Sequence, residues 1–152
     1  MIFDRTQADV NNALSVRKTK VQKLAELTQA EVDVLERGFL TINTLNRIEG
    51  KQSELMLLFN SMGYWNTDIQ PKAWSEDDVF GATDFRQLIN GLDALKSAFF
   101  VYEDTPKTPQ MAFSYTTFND IEKALFDMDV MINDVKSNYR YCGAIECGED
   151  LK

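Results

Sequence analysis

The sequence predicts an all-α protein, a four- to five-helix bundle with a long aromatic-rich loop and a short turn-rich C-terminal tail. Three observations predict it. Apolar residues recur at steps of three and four along most of the chain, the spacing that gathers side chains on one face of a helix. Capping pairs, a small polar residue followed three positions on by an acid or amide, stand ahead of these runs. Only three prolines and seven glycines occur in 152 residues, so long helices are permitted.

The elements follow in order. Asp4 with Gln7 reads as the cap of a first helix whose apolar row is Val10, Leu14, Val21 and Leu24, broken at Arg17. Thr28 and Glu31 form a second capping box, with Leu27 and Val32 placed as a hydrophobic staple; Gly38 ends that short helix as a left-handed C-cap would. Thr41 starts a third helix with the seam Leu45, Ile48, Gln52, Leu55, Phe59, Met62. Gly63 closes it, and Tyr64 is placed to pack back on Phe59 in a Schellman motif.

Residues 64–83 have no period but carry Tyr64, Trp65, Ile69, Trp74, Val79 and Phe80 around Pro71, so this loop should pack down onto the helices. Asp84 and Gln87 then cap a fourth helix with the seam Phe85, Leu88, Leu92, Leu95, Phe99, Tyr102. The period runs straight through Asn90-Gly91, normally a hairpin signal, and the helix accepts about 1 kcal/mol for Gly91. Residues 104–109 break the chain, and 110–116 could be extended. A fifth helix starts near Thr117 or Asn119 with the seam Phe118, Ile121, Leu125, Met128, Ile132, Val135, Tyr139; the tail around Gly143 and Gly148 is turn-rich.

Residues 1–40 thus form a helical pair and 41–152 the bundle region, together one compact unit. Three seams repeat near 3.5 residues. They serve an intramolecular bundle, or one of them, Leu45, Ile48, Gln52, Leu55 and Phe59, pairs with copies of itself, with polar Gln52 fixing register.

Composition narrows the functions. A net charge of −8 disfavours nucleic acid and an anionic membrane surface as partners. The densest basic run, Arg17, Lys18, Lys20 and Lys23, reads as the wet face of a helix. No signal peptide opens the chain and no apolar run approaches about 20 residues, so the expectation is synthesis in the cytoplasm without a membrane span.

There is no histidine, which removes Ser-His and Cys-His nucleophiles, and no phosphate-binding glycine loop; neither an enzyme nor a cofactor is expected. Glu76-Asp77-Asp78 fails as a calcium loop because Val79 stands at a ligand position. Arg47-Ile48-Glu49-Gly50 faintly resembles the start of a phage lysozyme active site, but that chemistry needs a second carboxylate across a cleft. Trp65 and Trp74 read as caps on the helical core or as a partner-binding aromatic platform. Cys142 and Cys147 are two reduced thiols, or a disulfide within the chain or between subunits; two thiols alone complete no structural zinc site.

Several segments, in one order, resemble a helical region of tail-associated structural proteins from phages and prophages of Firmicutes. They are Thr44-Leu-Asn-Arg-Ile-Glu49, Met62-Gly-Tyr-Trp65, Ala98-Phe-Phe-Val-Tyr102 with Asp104-Thr-Pro106, Asn119-Asp-Ile-Glu-Lys123, and Tyr139-Arg-Tyr-Cys-Gly143 with Cys147-Gly-Glu149. The resemblance covers roughly residues 41–149. It implies a bacterially made virion component whose partners are other tail proteins or copies of itself, with no catalytic residues to carry over. A cytoplasmic helical adaptor or regulatory module is the alternative that the acidic surface and the seams fit equally well.

Overall fold

In the computed structural model, residues 1–23, 26–64, 69–110 and 112–143 are described, the side chains of 23 and 139–143 excepted. Five helices occur: α1 (Gln7–Lys23), α2 (Gln29–Gly38), α3 (Ile42–Ser61), α4 (Ala82–Ala98) and α5 (Tyr115–Gly143), with no strand among the described residues. The protein is all-α, as the periodicity predicts.

The N-terminal cap lies two residues later than expected. Thr6 and Asp9 form the box: the Thr6 amide donates to Asp9 Oδ2 at 2.7 Å and the Asp9 amide to Thr6 Oγ1 at 3.3 Å. Asp4 is engaged elsewhere, 3.3 Å from Arg37. Residues 1–5 are used to reach α5, where Phe3 packs on Phe126, so the helix cannot start sooner. The Thr28–Glu31 box closes as expected.

α1 and α2 pack antiparallel as a hairpin, pinned by Lys20–Glu31 near the turn and Arg37–Asp9 at the open end. The face of α1 turned inward carries Asp9, Ala13, Val16 and Lys20; of the predicted apolar row Val10 is half-buried, Leu14 and Val21 are exposed, and Leu24 lies outside the described residues. Leu14 and Val21 are 49% and 67% exposed. Small residues decide this. A Cβ on Gly38 would stand 2.3 Å from Ala13 Cβ and 2.5 Å from the Asp9 carbonyl oxygen, so the helices meet closely where both side chains are minimal. Gly38 is therefore required by close approach; it is the last residue of α2, not a left-handed cap, and the extended Phe39 follows it.

α3, α4 and α5 form the core. Their seams are buried at Leu45, Ile48, Leu55, Phe59, Phe85, Leu88, Leu92, Leu95, Phe99, Phe118, Ile121, Leu125, Met128 and Ile132. Burying each such side chain contributes about 1.5–3 kcal/mol. The seam of α4 ends one residue past the helix, at Phe99, and Tyr102 is exposed.

The three helices run in the same sense. Arg47 meets Glu122 and Lys51 meets Asp129, while Gln52 meets Leu88 and Phe59 meets Phe99. Each connection therefore has to travel back. Residues 62–81 return along α3: the Ile69 amide donates to Met56 Sδ, the Lys72 amide to Glu49, and the Trp74 amide to Asn46. Residues 99–114 return along α4, where Lys96 donates to the Pro106 carbonyl, Thr108 bonds Asp93, and Phe113 packs on Phe85. All three prolines fall in these returns, which keeps both out of helix.

α3 ends in the predicted Schellman motif. Gly63 has φ +85°, its amide donates to Asn60 O, and the Tyr64 amide donates to Phe59 O at 2.9 Å. The Tyr64 ring meets Phe99 edge-on at 4.6 Å, and Phe99 in turn packs on Phe59. α5 starts two residues before the predicted Thr117, because Ser114 caps it by accepting from the Thr117 amide. It continues through Gly143, so residues 141–143, predicted to be turn-rich, are helical.

Candidate functional site

The predicted self-association seam is turned into the chain's own core. Leu45, Ile48, Gln52, Leu55 and Phe59 are all buried, against α4 and α5. A second copy cannot reach this face while the fold is intact, so the pairing role is corrected to an internal one. Gln52 has a specific internal partner: its Nε2 donates to the Leu88 carbonyl at 2.8 Å. Gly91 makes the room, since a Cβ there would stand 3.0 Å from Gln52 Oε1. The glycine that looked like a hairpin signal is the notch for a buried amide, and α4 runs through it.

Trp74 is likewise a core residue, not an exposed platform. It is buried, its Nε1–H donates to Glu49 Oε1 at 2.9 Å, and the Lys72 amide donates to Glu49 Oε2 at 2.6 Å. Asn46 brackets the Trp74 backbone from one turn earlier, accepting from its amide at 2.9 Å and donating to its carbonyl at 3.2 Å. Both oxygens of Glu49 are therefore taken by the first return segment, which gives this carboxylate a structural task. Lys72 lies 3.9 Å over the indole and pairs with Asp78 at 2.8 Å. That lysine, with the amide and hydroxyl of Ser75, holds the Asp78 carboxyl down at about 2. The acidic run at 76–78 thus closes a turn. Trp65 lies outside the described residues, as does Cys147; Cys142 sits in the last turn of α5, its side chain outside the description.

One site the sequence reading missed is the buried charge at Glu122. It is fully buried on α5 and accepts from Arg47 Nη2 at 2.8 Å, Arg5 Nη2 at 3.2 Å and the Ile2 amide. Asn119, one turn earlier, donates to the Arg5 carbonyl at 2.9 Å. Two guanidinium groups and a backbone amide compensate one carboxylate, joining the N-terminal segment, α3 and α5 at a single point. Thr117, Phe118, Ile121, Glu122 and Ala124 are all buried, so the covered face of α5 is broader than the predicted seam.

Among the described residues, two concavities border the hairpin. One, about 320 Å³, lies where the hairpin meets the core, between Val10, Leu40, Phe113 and Phe118, with Arg5 in its wall. The other is an open groove of about 620 Å³ between α2 and the start of α3. Its floor is Leu27, Val32, Leu35 and Ile42, and Glu36 and Glu76 stand in its lining. Among the described residues no cluster of three or more cysteines or carboxylates is placed to hold a metal ion, and no helix is long and apolar enough to cross a membrane. No family model, curated protein or solved structure matches the chain.

Proposed function

We propose that this chain is a non-catalytic structural component of a phage or prophage tail, acting through protein–protein contacts made by its helices. The observation that carries the reading is where the resembling segments fall. Asn46 and Glu49 hold the first return, Arg47 and Glu122 form the buried charge junction, Gly63 and Tyr64 stop α3, and Phe99 ends α4. The segments that carry the resemblance are the joints of the fold, which suits a region whose product is a rigid shape. The polar side chains best placed for chemistry, Glu49, Gln52 and Glu122, are each engaged by groups of the same chain.

The test is to induce a lysogen carrying the gene and separate its particles on a density gradient. The chain should band with tails at a fixed ratio to the other tail proteins. Recovery only in the soluble host fraction, bound to host proteins, would overturn the tail reading in favour of an adaptor.

A further inference from the structure

The hairpin carries two surfaces that complement each other but do not meet within one chain. On α1, Leu14, Arg17, Lys18 and Val21 stand at steps of three, one and three, hence on one stripe, and all four are exposed. The stripe is turned about a third of a turn from the face that packs on α2. Neither Arg17 nor Lys18 has an ion pair among the described residues. Leu14 and Val21 therefore stand in solvent beside two cations.

The groove between α2 and α3 has the opposite character. Leu27, Val32, Leu35 and Ile42 line it together with Glu36 and Glu76, and among the described residues no lysine or arginine does. Leu27, at one end of the floor, is 45% exposed. A groove of this kind takes a helix that presents aliphatic residues flanked by cations, with the charges setting partner choice and orientation. α1 is such a helix.

We propose that the exposed stripe of α1 from one copy docks into the α2–α3 groove of the next, so that the chain assembles head to tail. The two surfaces are different patches, so each contact leaves one stripe and one groove free. Assembly then closes as a ring, of which a reciprocal dimer is the smallest, or grows as a filament. The inference rests on these surfaces alone and stands or falls apart from the tail reading.

Sedimentation velocity on the full chain tests it, using two variants at exposed positions whose helicity and melting are checked first. One carries Leu14→Asp with Val21→Asp and loses the stripe; the other carries Leu27→Asp with Glu76→Lys and loses the groove. The wild-type chain should associate to a dimer or beyond as concentration rises, and 0.5 M salt should weaken it. Each variant alone should associate more than tenfold more weakly. An equimolar mixture of the two should form a one-to-one dimer and go no further, because one intact stripe then faces one intact groove. A wild-type chain that stays monomeric throughout overturns the proposal. So does a dimer that neither variant weakens, or a mixture that stays monomeric.

Discussion

The α3–α5 core and the α1–α2 hairpin are both helical, yet they are held together differently. In the core, seams of leucine, isoleucine, phenylalanine and methionine interlock, and Gln52 and Glu49 are buried with hydrogen-bond partners. In the hairpin, Ala13 and Gly38 are the buried residues, and the pins are ion pairs at the two ends. The core turns its seams inward, although Leu57, Phe126 and Val130 on its outer faces stay exposed. The hairpin buries little apolar surface and leaves Leu14 and Val21 in solvent. The comparison teaches that an apolar row at helical spacing predicts a helix reliably, but not which side of it is covered.

The largest expected effect lies at the point joining the two regions. Glu122→Gln leaves Arg5 and Arg47 without their counter-charge and should cost about 3–5 kcal/mol by denaturant unfolding. A loss within about 0.5 kcal/mol, the range of an ordinary surface change, would mean that the junction is not a buried ion pair. Next is the core alone. Leu95→Ala or Leu125→Ala should cost about 2–5 kcal/mol, whereas Leu14→Ala should stay within about 0.5. Equal costs would erase the distinction.

Gly38→Ala comes third, at about 1–3 kcal/mol, because the new methyl meets Ala13 and the Asp9 backbone. Ala13→Gly, added to it, should recover part of the loss; no recovery would place the clash elsewhere.

The smallest effect is acid loosening of the hairpin. The Lys20 ammonium beside Glu31, helped by Thr28, holds the Glu31 carboxyl down at about 2, and hydrogen bonds from Thr6 lower Asp9. A carboxylate depressed on folding stabilises the native state fully above its unfolded value, near 4.5 for glutamate, and loses that contribution as pH falls toward 2. Amide signals of Val16 and Val34 should therefore weaken across that window before those of Leu125. Simultaneous loss would contradict a charge-pinned hairpin.

The legible parts of the fold were those governed by local periodicity. The seams of α3, α4 and α5, the Thr28 box and the Gly63 stop follow from residues within two turns of each other. Three features did not. Helical period carries no direction, so the parallel sense of α3, α4 and α5 was hidden until both connections were seen to run back along them. Gly38 was read as a stop because a glycine at a helix end fits two causes, left-handed backbone and close approach, and only the neighbour Ala13, 25 residues earlier, decides between them. Glu122 drew no notice because its partners lie 75 and 117 residues away. Of the candidate site residues, the five of α3 were recognised as seam positions and Trp74 as a loop aromatic that could cap the core, and all six are buried.

Helix-resolved hydrogen exchange on the intact chain at neutral pH tests the division most directly. Amides in the middle of α3, α4 and α5 should exchange only through global unfolding, with protection that tracks total stability. Those of α1 and α2 should exchange at least tenfold faster, through opening of the hairpin while the core stays closed. Equal protection in all five helices, falling together in Leu95→Ala, would show a single cooperative unit and contradict the account.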